Sequence, residues 1–361
     1  MEVAARTDRL LSGLGEAGCD ALLVTHLTNI RYLTGFTGSA AYLLVQPAGL
    51  TLVTDGRYEE QAAGELGGAG VDAELVIGRT ASTQQQALTE RTTGVRRLGL
   101  ESEHVSWADE RRFACEWFPE AELVASTGLV ERLRVVKDSG EVARIEAACA
   151  IADAALAAVA PMLEDRPTEA GFARELDSEM RRQGADDISF ETIVASGPNG
   201  SRPHHTPSGR AIEHGDLVVV DFGALVDGYH SDMTRTIPVG GPHSLDDTQT
   251  RMVAVVGEAQ AAGVAAVRAG ASTRDVDTAC REVIAAAGWA DAFMHGTGHG
   301  VGLDIHEDPR VSWAADATLA AGHVVTVEPG VYLPGHGGVR IEDTVVVTES
   351  GCRTLTRAPK S

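Results

Sequence analysis

Two stretches of the chain each place a pair of carboxylates across an expected β-hairpin, with histidines between them. The first, GDLVVVDFGALVDGYHSDMTRTI, carries Asp221 and Asp232. The second, VVTVEPGVYLPGHGGVRIEDTVVV, carries Glu328 and Glu342. Between them lies HGTGHGVGLDIHEDP, with His295, His299 and His306. Four acids and one imidazole suit a site for two divalent cations, because four negative charges balance two 2+ ions and oxygen-rich sets favour hard or borderline metals. The chemistry indicated is that of a hydrolytic metalloenzyme. Spacing alone leaves open which of the three histidines is the ligand.

In an antiparallel pair, opposed residues have a constant index sum. The midpoint of Asp221 and Asp232 falls between Val226 and Asp227, beside the turn pair Asp227-Gly228. That of Glu328 and Glu342 falls on Gly335, inside Pro334-Gly335-His336-Gly337-Gly338. Each hairpin is expected to oppose its two acids, within one residue for a bulge. The flanking apolar runs VVV and VVTV imply burial, and a buried carboxylate without a cation is costly.

The elements positioning these hairpins fall into two regions. With 361 residues and 43% apolar content, the chain can bury one large core or two domains. Residues 1–130 alternate helix and strand: a helix over 6–18, strands at ALLVT, AAYLLVQ and LTLVTD, then further alternation to SWADERRFACEW. A sheet covered by helices is expected there. Residues 131–361 read helix, helix, strand, hairpin, helix, helix, His segment, hairpin. This looks like an internal duplication that would bring both carboxylate pairs to one centre about a pseudo-twofold axis. The helix over STRDVDTACREVIAAAG opens with an N-cap at Ser272 or Thr273.

A net charge of −22 disfavours nucleic acid and anionic membranes as partners. No uninterrupted run of 18 apolar residues exists, so no membrane-spanning helix is expected, and the N-terminus lacks secretory-leader features. Five scattered cysteines without CxxC spacing suggest a reducing cytoplasm. The run HGTGHGVG lacks the Lys-Ser/Thr of a P-loop and the GxGxxG spacing, so phosphate binding is rejected.

The segments NGSRPHHTPSGRAIEHGDLVVVDFGALVDGYHSDMTRT, HGTGHGVGLDIHEDPR, TVEPGVY and GGVRIEDT closely resemble those of the pita-bread metallopeptidases, in the Xaa-Pro branch of aminopeptidase P and prolidase. TNIRYLTGFTGSAAYLLV and TDGRYEEQA are similar to the creatinase-type N-terminal domain of that branch. The resemblance implies an α/β (α+β) chain: a small creatinase-like domain over 1–130, then a pita-bread catalytic domain over 131–361. It implies that Asp221, Asp232, His299, Glu328 and Glu342 hold two metal ions, with Asp232 and Glu342 bridging. Asp221 would complete one ion, and His299 with Glu328 the other. Manganese is the first expectation, while cobalt, zinc and iron tolerate the same set. Glu328 is the candidate general base and acid. His204 and His306 match active-site histidines. His295 is expected to line the pocket, and His205 reads as a loop-surface histidine. Arg340 could orient a carboxylate of the cluster, Glu342 or Asp232. Arg310 could meet the free carboxylate of a dipeptide. The resemblance also implies peptide substrates with proline in second position, and a homodimer. Methionine aminopeptidase, creatinase-like hydrolase and a non-catalytic binding module are the competing readings. The 130-residue N-terminal region and the intact ligand set argue against them.

Overall fold

The computed structural model describes residues 1–360, and the chain divides into two compact units, Met1–Arg134 and Val135–Ser361. The first unit is built on strands β1 (Ala21–Val24), β2 (Ala41–Gln46), β3 (Gly49–Thr54), β4 (Ala73–Ile77), β5 (Arg97–Glu101) and β6 (Glu122–Ser126). They form one mixed sheet in the order β4-β3-β2-β1-β5-β6. Helices α1 (Ala4–Leu14), α2 (Leu27–Thr34), α3 (Glu59–Ala69), α4 (Ala81–Arg91), α5 (Trp107–Arg112) and α6 (Glu131–Arg134) accompany it. β1 is buried along its whole length, which explains its unbroken apolar run. The sequence reading missed α2, α4 and β6. α4 carries the weakest signal, since ASTQQQALTER has little apolar periodicity; the Thr80–Thr83 capping box starts it.

In the second unit, α7 (Ser139–Val159) opens with a capping box between Asp138 and Glu141. With the 3-10 turn after it, this helix reaches a mean hydropathy of 1.6, long and apolar enough to cross a membrane by composition. That differs from the expectation of no such segment, because Ala-rich stretches score as apolar even when a few charges interrupt them. In this unit Ala148, Ala152, Ala155 and Leu156 pack in a core with Phe172, Leu176, Val218 and Val220. α8 (Glu169–Arg182) starts at the Thr168 N-cap. α9 (Asp247–Ala266) and α10 (Thr273–Ala286) follow the caps Asp246 and Ser272.

The strands are β7 (Asp187–Ile188), β8 (Ile193–Ser196), β9 (Leu217–Phe222), β10 (Ala224–Val226), β11 (Tyr229–His230), β12 (Met233–Pro238), β13 (Gly298–Gly300), β14 (Glu307–Val311), β15 (Val324–Val327), β16 (Gly330–Leu333), β17 (Gly337–Arg340), β18 (Asp343–Thr348) and β19 (Gly351–Thr354). The first hairpin runs β9-β10 out and β11-β12 back; the second runs β15-β16 out and β17-β18 back.

The two hairpins differ in register. In the second, Val327 pairs with Asp343 and Gly330 with Arg340, so Glu328 stands across from Glu342 as expected. In the first, Asp221 pairs with Thr234, and Leu225 with His230. That register puts Asp232 across from Gly223, two residues from the expected partner. The turn is centred one residue later than the midpoint of the two acids, between Asp227 and Gly228, both with positive φ. A shift of two keeps both acids on one face, as a diagonal pair. Gly223 must be bare, because a Cβ there would meet Ser231 O at 1.9 Å.

Candidate metal centre

Both hairpins and β13 bring their polar residues to one cavity of about 420 Å³. It is lined by Asp221, Asp232, His299, Glu328 and Glu342, together with His204, His295, His306, Arg310 and Arg340. Every site residue named from the sequence therefore meets there.

His299 is 7% exposed, and burial pushes its imidazole down to about 3, so it is neutral at pH 7. Its Nδ1 lies 3.0 Å from Gly300 O, which assigns the proton to Nδ1 and leaves the Nε2 lone pair free. Nε2 sits 3.4 Å from Asp232 and 3.5 Å from Glu328. A neutral ring makes these no salt bridges; they are donor atoms brought together within reach of one another. One ligand atom each from Asp232, His299 and Glu342 falls within a 4.8 Å cluster.

The acids show the same logic. Burial, then repulsion from their neighbours, pushes Asp232 and Glu342 well above the usual carboxylate range. Burial pushes Glu328 up to about 8. Asp221 Oδ1 and Glu342 Oε1 are buried with no hydrogen-bond partner among the described residues. Orphaned buried carboxylate oxygens are rare, and the cavity these residues line also holds the neutral His299 imidazole. The donor set fits divalent cations, whose charge would reverse the cost of burying four acids.

The surrounding residues fix these ligands. Thr234 Oγ1 donates to Glu342 Oε2 at 2.7 Å, and Thr326 Oγ1 donates to Glu328 at 3.3 Å. Arg340 is fully engaged by the protein: it donates to Asp221 Oδ2, to Thr234 Oγ1 at 3.0 Å, to Tyr332 OH at 2.8 Å and to Pro203 O at 3.3 Å. It therefore holds Asp221 rather than Asp232 or Glu342. His295 has both ring nitrogens in use, with Nδ1 2.8 Å from Gly296 O and Nε2 2.9 Å from Tyr332 OH. The glycines of HGTGHGVG serve backbone packing. A Cβ on Gly298 would meet Thr326 O at 2.1 Å, and one on Gly300 would meet Asp308 O at 2.2 Å.

His204 and His306 face the cavity, and the His306 ring meets His299 edge-on at 4.4 Å. Burial lowers the His306 imidazole, which keeps it neutral at pH 7. Arg310 lines the cavity, and no ion pair or hydrogen bond engages its guanidinium among the described residues. His205 corrects the surface reading: its side chain is 9% exposed and its Nε2 is 2.9 Å from Glu169. Sequence reasoning missed the apolar wall of Phe190, Ile193, Ile305 and Trp313. Nothing in their spacing marks them, since they come from three separate segments.

A second cluster, His26, His104 and Glu131, has ligand atoms equally close. The two imidazoles stack with planes 5° apart. Their in-plane lone pairs run side by side rather than converging, so this geometry does not make a metal centre.

Residues 143–349 match the model of metallopeptidase family M24, and residues 6–136 match the creatinase/prolidase N-terminal domain. The chain belongs to metallopeptidase family M24. As an M24 member with a creatinase-type domain, it is 42% identical over 355 residues to the uncharacterized peptidase YqhT of Bacillus subtilis, with 98% of each chain covered. It superposes on a Xaa-Pro dipeptidase from Bacillus anthracis with a TM-score of 0.94 at 37% identity, covering 99% of both chains. An X-Pro aminopeptidase from Thermotoga maritima gives a TM-score of 0.89 at 34% identity, again over 99% of both. The family carries divalent metal ions and acts on peptides, and the fold is that of the prolidases.

Proposed function

We propose that this M24 metallopeptidase hydrolyses the bond between an N-terminal residue and a following proline, in dipeptides or longer peptides. One observation carries the reading: the five candidate ligand residues meet in one cavity, and two of their buried carboxylate oxygens have no hydrogen-bond partner among the described residues. Asp221, Asp232, His299, Glu328 and Glu342 would together hold two ions. When bound, such a pair supplies a water ionised near neutral pH and polarises the scissile carbonyl. Manganese is the metal assigned first, with cobalt, zinc and iron as the alternatives.

The protein's own groups do the rest. Proline leaves as a secondary amine, so its nitrogen must be protonated as the bond breaks. With the ions bound, their charge would keep Glu328 ionised, so that it can take a proton from the attacking water and return it to that nitrogen. His306 and His204 can hold the substrate carbonyl from the facing side. Phe190, Ile193 and Ile305 offer apolar surface to a pyrrolidine ring, and His295 and Arg340 shape the pocket through Tyr332. A cytoplasmic homodimer belongs to the same reading. The five free cysteines support the compartment, and the family resemblance supports the pairing.

Turnover of a Xaa-Pro dipeptide, a Xaa-Pro-Yaa tripeptide and a Met-Ala peptide, each with added manganese, tests this. Preference for the Met-Ala peptide would make the chain a methionine aminopeptidase, and no turnover of any would make it a binding module. His204→Ala and His306→Ala should each lower kcat by about tenfold or more while metal analysis still finds two ions. Loss of metal from either variant would move it into the ligand set.

Arg310 bears on substrate length. A dipeptide places its terminal carboxylate beside the scissile bond, and Arg310 is the unengaged cation in the cavity. A charge-assisted contact contributes roughly 1.5–3 kcal/mol, about ten- to a hundredfold. Arg310→Ala should cut dipeptide kcat/KM by that factor and spare the tripeptide. Equal losses on both substrates would show that Arg310 does not read the carboxylate.

A further inference from the structure

Glu169 is a buried anion outside the metal cluster, at the first turn of α8, with a side chain 0% exposed. Its two oxygens are saturated. Oε1 accepts from Ser196 N at 2.8 Å, Ser196 Oγ at 2.7 Å and Asn199 Nδ2 at 3.0 Å. Oε2 accepts from His205 Nε2 at 2.9 Å, Ser208 N at 3.0 Å and Ser208 Oγ at 2.6 Å. Burial pushes this carboxyl up, but the hydrogen bonds from Ser208, Ser196 and Asn199 outweigh it and bring it down to about 2. It is therefore charged throughout the working range.

All of these donors lie on the segment 196–208, which runs past the cavity. The backbone N–H groups of Glu169 and Ala170 close the far end of that segment, donating to Arg210 O and Ser208 O at 3.0 Å each. Adjacent residues on it have opposite destinations: His204 lines the cavity, while His205 turns into Glu169. The other side of the segment is held by Arg340, which joins Pro203 O to Asp221.

We infer that Glu169, acting through His205, is the positioning residue that sets His204 at the cavity. The inference rests on the proposed role of His204. Glu169 never reaches the cavity; it fixes the path of the backbone that carries His204. A displacement of about 1 Å in such a group can cost a hundredfold in rate.

Glu169→Gln replaces one oxygen with an N–H donor, set against three donors. Metal-loaded Glu169→Gln should lose about tenfold or more in kcat with two ions retained. If the effect runs through His204, Glu169→Gln should cost less than about twofold in a His204→Ala background. His205→Gln keeps a donor toward Glu169 and should retain more activity than His205→Ala. Hydrogen exchange without substrate gives an independent readout: whichever of the Ser196 and Ser208 amides faces the new NH2 group should exchange about tenfold faster or more in Glu169→Gln. Unchanged exchange, or equal losses in kcat with and without His204, would overturn the inference. A silent His204→Ala would instead overturn the role given to His204. The two failures are distinguishable because exchange is read apart from turnover.

Discussion

Asp232→Asn and Glu342→Gln should each abolish turnover, by about a thousandfold or more, and lower bound metal below two ions per chain. Each residue offers an atom to the cluster around His299, and each is at most 5% exposed. Losing several kcal/mol of charge stabilisation in the transition state corresponds to that factor at about 1.4 kcal/mol per decade. The fold should persist. In chelator-treated protein four acids crowd one cavity, and removing one relieves the repulsion that pushes the remaining carboxyls up. The melting temperature of the stripped variants should therefore equal or exceed that of the stripped parent, while metal-dependent stabilisation shrinks. Full activity in a metal-free parent would remove the basis of the proposed function. The companion His299→Ala should also lose metal, unlike His306→Ala.

Arg235→Met should produce the largest loss of stability, about 3–5 kcal/mol by urea denaturation. Arg235 is 2% exposed and sits one residue from Thr234, which holds Glu342. It pairs with Asp343 at 2.9 Å and donates to Glu342 O, Ala358 O and Pro359 O. Burial raises the Asp343 carboxyl, and Arg235 with Lys360 and Thr356 more than reverses that, so the group is lowered on balance. A carboxylate lowered by its partners contributes stability above its unfolded range and loses it as pH falls through the folded value. The Arg235→Met penalty should therefore shrink in acid. Adding Asp343→Asn should recover part of the loss, because the buried charge is then neutral. Independent, additive losses would show that the pair is not coupled.

The chemistry of this chain was more legible than its geometry. Residue types and spacing named four acids and a group of histidines, and all of them line one cavity. Strand periodicity located both hairpins. It placed Glu328 opposite Glu342 but misplaced Asp232 by two positions, because the true turn centre depends on the positive φ of Asp227 and Gly228 rather than on the acids themselves. The partner of Arg340 was equally hidden. Asp221 lies 119 residues away in the sequence, and only folding brings the two together. His205 was misread because a loop histidine next to the cavity-lining His204 carries no mark of its buried partner Glu169. Helix α2 was missed because its start at Leu27 lacks a capping side chain.

The tail latched by Arg235 also has a practical side. Thr356 Oγ1 and Lys360 Nζ bind Asp343 at 2.9 and 2.6 Å, and Asp153 accepts from the N–H of Arg357 and Ala358. These last residues are therefore part of the folded body, one side chain removed from Glu342. A bulky group fused directly behind Lys360 would pull on that latch, so a long linker is needed there to leave Asp343 fully partnered.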